Sequence, residues 1–393
     1  MAIDFSVPDE IEDLRARTAA FVAEVVIPRE AEARAAEHGI AEGFRRELQA
    51  AARERGLLAP AAGKEWGGLG LDLRGCAVVF EEAGYSLLGP VALNCAAPDE
   101  GNMNLLEKVA TPEQKARYLA PLVAGEVRSS FAMTEPAPGA GSDPAALRTT
   151  ATKVDGGWRI DGHKWFITGA DGAAFFICMA KTAEAAGRVS ATMFFVDADN
   201  PGIEIVRRVG SIDQVTPGGH CEVRFEGCVV GEDAILGELD RGFEYAQVRL
   251  NPARLTHCMR WLGLARRARD IANDYVAGRS LFGQPLASLG LAQQHIADNE
   301  IDLAAARALL WQACWTIDAG RPANAAVAAT KVFVAEACWR VIDRSVQLCG
   351  AYGVSDDSGL GWMLREVRPF RIYDGASEVH RWSLARRTVR ARE

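Results

Sequence analysis

The sequence predicts a multi-part α+β protein with an N-terminal helical domain, a central small β-barrel or sandwich, and a C-terminal four-helix bundle. Three observations support this. Apolar residues recur at helical spacing over the first part of the chain, short β-type runs separated by turn residues follow, and helical periodicity then returns. A chain of 393 residues has room for three such parts. The expected domains are 1–125, 126–235 and 236–393.

The first helix follows Pro8 and carries one apolar stripe. Ser6 and Asp9 have the spacing of a capping box, with Pro8 in the first turn. The stripe consists of Ile11, Leu14, Thr18, Phe21, Val22 and Val25. Ala- and Leu-rich stretches around 43–57, 73–87 and 112–124 predict further helices, which Gly- and Pro-containing loops separate.

The central part changes to short runs with high β propensity. Turn residues such as Asp155-Gly156-Gly157 separate these runs. The predicted strands are Thr149–Val154, Trp158–Ile160, Phe175–Lys181, Ala191–Val196, Ile203–Val209 and Cys221–Val230. Short strands at regular spacing are typical of a small barrel or sandwich.

The last part predicts long helices joined by short loops, which usually pack antiparallel. One segment begins with Leu255, Met259 and Leu262. The clearest stripe consists of Val334, Ala337, Cys338, Val341, Ile342 and Val346. The chain has no internal repeats or flexible linkers, so the parts are expected to pack as one body.

Composition excludes several classes of protein. Charged residues make up 24% and the net charge is −8, which leaves no basic excess for nucleic acid. The nine cysteines include no C-x-x-C pair and no zinc-like spacing, so we expect reduced core residues and no metal. The start lacks a basic segment followed by an apolar run, and no run is long enough to span a membrane. These features favour a cytoplasmic protein without membrane insertion.

Two central segments have residue types suited to holding a flat ring with polar edges. The first is Phe131-Ala-Met-Thr-Glu-Pro-Ala-Pro-Gly-Ala-Gly-Ser-Asp143, and the second is Asp161-Gly-His-Lys-Trp-Phe-Ile-Thr-Gly169. The first exposes backbone donors and hydroxyls, and the second ends a strand with an aromatic residue and a threonine. From residue types alone, ordinary β-turns remain an alternative.

The order of these residues resembles the signature of the acyl-CoA dehydrogenase family, in which such a loop and strand hold the flavin of FAD. The resemblance implies that Phe131, Met133 and Thr134 lie along the isoalloxazine ring. Trp165 and Thr168 would flank its reactive side, with Thr168 near N5. It further places Ser142 in contact with the flavin or the acyl-CoA.

A second group lies in the C-terminal part. Arg279-Ser-Leu-Phe-Gly resembles the family's Arg-x-x-Phe-Gly motif, which implies that Arg279 binds the FAD pyrophosphate and Phe282 lies against the cofactor. The alternative is that Arg279 caps the C-terminus of its own helix. Gln293, Gln347 and Gly350 resemble positions that reach the FAD of a neighbouring subunit, which implies a homotetramer or dimer of dimers.

The segment Arg371-Ile-Tyr-Asp-Gly-Ala-Ser-Glu378 resembles the family's Ile-Tyr-Glu-Gly-Thr-Ser motif, whose Glu is the catalytic base. Asp374 stands at that position, which implies that it takes the proton from the substrate. Gly375 would contact the substrate, and Ala376 and Glu378 the cofactor. Arg254 resembles the arginine of a substrate motif and would contact the CoA part.

An aspartate at this place, together with the segment 254–260, is similar to the branch of the family fused to phosphotransferase-like kinase domains. The resemblance implies FAD-dependent α,β-dehydrogenation of an acyl-CoA thioester, with an electron-transfer flavoprotein as electron acceptor. One alternative is a flavin oxidase or monooxygenase on the same scaffold, such as a nitroalkane-oxidase-like enzyme, which also uses an aspartate base. Another is a non-catalytic helical scaffold that has kept the fold.

Overall fold

The computed structural model describes residues 3–34, 39–185 and 188–390, and it confirms the predicted fold class. Helices, a β-sheet and helices follow one another along the chain. The chain divides into two compact units. One consists of Met1–Glu30, Leu71–Pro90 and Arg254–Glu393 and is called the helical unit here. The other, the sheet unit, consists of Ala31–Gly70 and Val91–Ala253.

The helices are α1 (Asp9–Phe21), α2 (Glu30–Arg34), α3 (Glu42–Glu54), α4 (Leu73–Ala83), α5 (Gly89–Ala92), α6 (Asp99–Val109), α7 (Pro112–Gln114), α8 (Ala120–Val123), α9 (Gly242–Gly278), α10 (Gly290–Asp318), α11 (Asn324–Cys349), α12 (Ala351–Val354), α13 (Leu360–Val367) and α14 (Ser377–Arg390). The strands are β1 (Ser129–Ala132), β2 (Thr150–Val154), β3 (Gly157–Thr168), β4 (Phe175–Ala185), β5 (Arg188–Asp197), β6 (Ile203–Arg208), β7 (His220–Gly231), β8 (Ile235–Leu236), β9 (Ser280–Leu281) and β10 (Gln284–Pro285).

Within the helical unit, α10 packs against α11, and both α1 and α10 pack against α4. Val334, Ala337, Cys338, Val341 and Ile342 of the predicted stripe on α11 are all buried. Burying an aliphatic side chain contributes roughly 1.5–3 kcal/mol, so this stripe holds α11 at the centre of the unit.

Close approach between α4 and α9 depends on two glycines. A Cβ atom at Gly84 would lie 2.0 Å from the carbonyl oxygen of Arg260, and one at Gly263 would lie 2.0 Å from that of Glu81. Because no side chain fits at such distances, only glycine lets these helices meet. The contact fixes the part of α9 that carries Arg254 and His257.

The start of α1 differs from the expectation. The helix begins at Asp9 with Pro8 as its N-cap residue, and no side chain caps it. Ser6 instead donates its backbone N–H to the Asp4 carboxylate at 2.8 Å. The predicted capping box is therefore wrong, because Asp4 competes for the donors of this segment.

The sheet unit is built on one mixed eight-stranded sheet. Its strands follow the order β6-β7-β3-β2-β4-β5-β8, and β1 pairs with β4 in parallel. Trp158, Ile160, Phe176, Phe194 and Phe225 belong to the apolar core on this sheet. β3 runs further than predicted, through the second flavin-like motif to Thr168, because it pairs with β7 along nearly its whole length.

All nine cysteines are free and buried, as expected for reduced core residues. Among the described residues, no helix is long and apolar enough to cross a membrane.

Candidate active site

The loop that follows β1 is anchored by Glu135. Its carboxylate accepts hydrogen bonds from the backbone N–H groups of Arg148 and Thr149, both at 2.8 Å, and from the Thr149 hydroxyl at 2.6 Å. The buried Lys164 ammonium donates to it at 3.0 Å. Burial acts to raise the pKa of Glu135, but Lys164 and these donors outweigh it and lower the pKa to about 2. The ionised Glu135 carboxylate therefore has a structural role, which is to hold the loop in place.

This anchor brings the two flavin-like motifs together. The backbone N–H of Trp165 donates to the carbonyl of Thr134 at 2.9 Å, and the Thr134 hydroxyl donates to the carbonyl of Trp165 at 2.5 Å. Lys164 also donates to the carbonyl of Met133 at 3.1 Å. Three of the predicted site residues thus lie side by side, although about 30 residues of sequence separate the two motifs.

The other predicted residues of the sheet unit are Phe131, Thr168 and Ser142. Phe131 is half-buried, with the Arg249 guanidinium 4.2 Å from the centre of its ring. Thr168 ends β3, where its carbonyl accepts from the Ser130 hydroxyl at 2.9 Å. Ser142 is exposed on the loop and takes no part in the Thr134–Trp165 pairing.

In the helical unit, Asp374 occupies a turn with unusual backbone geometry. Its φ is +54° and that of Gly375 is +95°. A left-handed residue other than glycine costs on the order of 1–3 kcal/mol, so neighbouring contacts have to hold the turn. A Cβ at position 375 would lie 2.6 Å from His380 Nε2, which requires glycine there.

Three basic side chains hold the backbone carbonyls of this turn. Arg254 Nε donates to the carbonyl of Asp374 at 2.8 Å, and Lys331 Nζ donates to that of Gly375 at 2.7 Å. His380 Nε2 lies 3.1 Å from the Asp374 carbonyl, which can only accept, so this nitrogen carries the proton. The three donors come from α9, α11 and α14 and fix the turn from three sides.

Burial depresses the basicity of these donors. It lowers the pKa of Lys331 to about 8. Burial and the positive charge of Arg254 together lower the pKa of His380 to about 4. His380 is therefore neutral at physiological pH.

The carboxylate of Asp374 lies beside His257. The distance from His257 Nε2 to Asp374 Oδ2 is 3.3 Å. Arg260 Nη2 donates to His257 Nδ1 at 3.0 Å, and because a guanidinium cannot accept, the Nδ1 atom carries no proton. The ring therefore carries its proton on Nε2, the nitrogen that lies 3.3 Å from Asp374 Oδ2.

The remaining predicted residues of the helical unit are mostly exposed. Phe282 has 91% of its surface accessible, and Arg279 has no side-chain hydrogen-bond or ion-pair partner among the described residues. The guanidinium therefore does not cap its own helix in this structure. Gln293, Gln347, Gly350 and Glu378 are exposed, and Ala376 is half-buried.

Several residues of these sites were missed by sequence reasoning. Glu135 belongs to the first motif, yet nothing in the sequence marks it as the anchor. Lys331 sits on an apolar stretch of α11, where a lone charged residue could have served as the signal, whereas His257 lies among several polar residues of α9 and has no such signal. His163 Nε2 lies 2.7 Å from Glu222 Oε1.

Family models match nearly the whole chain. They are described as the N-terminal domain (residues 8–126), the middle domain (residues 130–228) and the C-terminal domain (residues 240–389) of acyl-CoA dehydrogenase. The chain is 38% identical to "Probable acyl-CoA dehydrogenase FadE2" of Mycobacterium tuberculosis, over 98% of this chain and 96% of that protein.

A longer relative and a solved structure are also similar to this chain. Mouse "Acyl-CoA dehydrogenase family member 10" is 38% identical over 81% of this chain, which spans only 30% of that longer protein. The structure of butyryl-CoA dehydrogenase from Megasphaera elsdenii is 26% identical, with a TM-score of 0.89 over 98% of this chain and all of the other.

The fold and the two sets of residues define a flavin-dependent oxidoreductase. The chain belongs to the acyl-CoA dehydrogenase family, whose cofactor is FAD.

Proposed function

We propose that this enzyme oxidises the Cα–Cβ bond of an acyl-CoA thioester and that Asp374 is the base. The observation that carries the proposal is the pinned turn around Asp374. Three donors fix the backbone of Asp374 and so hold its carboxylate in one place, 3.3 Å from His257 Nε2, whereas the Glu135 carboxylate anchors its loop. A carboxylate fixed in position suits general-base chemistry.

In this reaction the Asp374 carboxylate takes a proton from Cα of the substrate. The electron pair of that C–H bond forms the new double bond as hydride leaves Cβ. The hydride acceptor would be supplied by FAD when it is bound, which is the redox chemistry of this cofactor. The backbone N–H of Asp374 would hold the thioester carbonyl and stabilise the enolate-like charge.

His257 would keep the base in position. Its Nε2 lies 3.3 Å from Oδ2 of Asp374, and the hydrogen bond from Arg260 to Nδ1 fixes the orientation of the ring. Asp374 is one methylene shorter than the glutamate of the family motif, so its reach of roughly 1.5 Å less makes accurate placement important.

The residues of the sheet unit fit an isoalloxazine ring. Trp165 Nε1 is buried without a hydrogen-bond partner among the described residues, a costly arrangement unless a ligand supplies an acceptor. Phe131, Met133, Thr134 and Thr168 would line the ring, and Ser142 would reach the flavin or the acyl-CoA.

In the helical unit, the unpartnered guanidinium of Arg279 suits a pyrophosphate. Phe282 would cover the cofactor, with Gly350, Ala376 and Glu378 nearby. Arg254 and Gly375 would contact the substrate.

Exposed residues of the helical unit support an oligomer. A phenylalanine with 91% of its surface accessible is costly in water, and Gln293 and Gln347 are exposed on α10 and α11. We infer a homotetramer in which these residues approach the FAD of a neighbouring subunit. An electron-transfer flavoprotein would then reoxidise the flavin.

The test is flavin reduction without oxygen. Mixing the purified enzyme with a panel of acyl-CoA esters should bleach the flavin absorbance. Asp374→Asn should leave the ratio of flavin to protein unchanged and slow the bleaching by about 100- to 10,000-fold, the usual contribution of a general base. Asp343→Asn, which changes an exposed aspartate on α11, should bleach at the normal rate.

Full-rate bleaching by Asp374→Asn would remove Asp374 from its role. If acyl-CoA esters leave the flavin oxidised and a nitroalkane bleaches it with peroxide formed in air, the enzyme is instead a nitroalkane-oxidase-like flavoprotein. A purified protein without flavin would support the non-catalytic scaffold.

A further inference from the structure

The end of β3 carries a chain of hydrogen bonds that the reaction above does not use. The Thr168 hydroxyl oxygen lies 3.0 Å from His220 Nδ1, and His220 Nε2 lies 3.0 Å from Asp213 Oδ2. Ser211 donates its hydroxyl to the other oxygen of Asp213. Thr168 and His220 are paired across β3 and β7, so the sheet itself fixes the first link.

The direction of each hydrogen bond follows from the charge of Asp213. Burial acts to raise the pKa of this carboxyl, but the hydrogen bonds from His220 and Ser211 outweigh burial and hold the pKa below its usual value. Near neutral pH it is ionised and can only accept. His220 Nε2 must therefore donate. In the neutral ring Nδ1 then accepts, and the Thr168 hydroxyl donates its proton to Nδ1.

We propose that Asp213, His220 and Thr168 form a relay that turns the Thr168 hydroxyl into a hydrogen-bond acceptor toward FAD and so raises the reduction potential of the flavin. This rests on the proposed position of Thr168 beside N5. That nitrogen carries a hydrogen only in the reduced ring. An acceptor at Thr168 favours the reduced ring, and a donor at Thr168 favours the oxidised ring.

Among the described residues, His220 contacts Asp213, Thr168 and the Phe166 ring, whose centre lies 6.1 Å from that of the imidazole. Charged groups on the adjoining strands are paired with one another: Arg208 with Asp171, and Glu222 with Arg207 and His163.

The measurement is the midpoint potential of the bound flavin, followed spectroscopically during a redox titration with the full-length flavoprotein. His220→Leu and Thr168→Val should each lower the ratio of reduced to oxidised flavin about tenfold at a fixed applied potential, a shift of about 30 mV for two electrons. His220→Asn should stay close to the wild-type potential, because its amide oxygen can still accept from Thr168.

The matched control is His163→Leu, which removes a histidine paired with a carboxylate on the same two strands. Its potential should equal that of the wild type.

An unchanged potential in His220→Leu, combined with a lowered one in Thr168→Val, would overturn the relay while leaving Thr168 beside the flavin. An unchanged potential in both variants would show that Thr168 does not face the flavin. Neither result affects the bleaching assay for Asp374, so failure of the relay and failure of the proposed dehydrogenation are distinguishable. The flavin-to-protein ratio of each variant shows whether it has folded.

Discussion

The loop after β1 and the turn at Asp374 are held by opposite means. In the loop, the side-chain carboxylate of Glu135 accepts hydrogen bonds from backbone N–H groups and from a buried ammonium. In the turn, backbone carbonyls accept hydrogen bonds from the side chains of Arg254, Lys331 and His380. The Glu135 carboxylate is therefore occupied by contacts that hold the loop. In the turn the backbone carbonyls take the anchoring contacts, and this difference separates the structural carboxylate of Glu135 from the candidate base Asp374.

The largest expected effect concerns stability. Glu135→Gln should leave the buried Lys164 uncompensated and reduce the free energy of unfolding by about 3–5 kcal/mol. Asp374→Asn should reduce it by less, since three donors to backbone carbonyls hold the turn. Chemical denaturation measures both.

Glu204→Gln is the control, because the Glu204–Arg224 pair is exposed and should contribute less than about 1 kcal/mol. The double variant Glu135→Gln/Lys164→Met should recover part of the loss. Equal destabilisation by Glu135→Gln and Asp374→Asn would contradict the contrast between loop and turn.

As the pH falls, the turn at Asp374 should be destabilised before the loop after β1. The pKa of His380 is about 4 in the folded state against 6.5 in the unfolded chain, so the unfolded chain binds a proton first. Stability then falls by about 3 kcal/mol as the pH drops from 6.5 to 4. Glu135, with a folded pKa of about 2 against 4.5, contributes stability that is lost only as the pH drops from 4.5 to 2.

Hydrogen exchange measures the two regions separately if samples are held at each pH and labelled in a short pulse at one fixed pH. Protection of 372–380 should decline in the upper window and that of 135–149 in the lower one. His380→Gln should remove the upper step alone. Loss of protection in both segments at the same pH would be evidence against separate anchors.

The smallest of the three effects concerns the length of the base. Asp374→Glu should slow anaerobic flavin reduction about 100-fold, because an extra methylene misplaces the carboxylate by roughly 1 Å or more. Aspartate also tolerates the left-handed backbone at this position better than a longer side chain does. Stopped-flow absorbance gives the rate, and Asp343→Glu on the exposed face of α11 is the control. A variant as fast as the wild type would show that the turn does not select for aspartate.

Much of the fold was predictable from local pattern. The stripe on α11 and the six central β runs were correctly assigned because α11 buries residues at helical spacing and the β runs are short segments of high β propensity between turn residues. The capping box before α1 was wrong because capping depends on which of several nearby acceptors takes a given N–H, and Asp4 took that of Ser6.

The sequence alone determined the family, the order of helices and sheet, and the candidate positions of Asp374, Thr168 and Arg279, since all of these are encoded in short ordered motifs. Only the tertiary structure decided which polar groups meet. Lys331 reaches the carbonyl of Gly375 from 44 residues away, and His220 reaches Thr168 from 52 residues away. Such contacts leave no local pattern, because chain topology and burial create them. Contacts of the same kind anchor the Glu135 carboxylate in its loop and fix the backbone that carries Asp374.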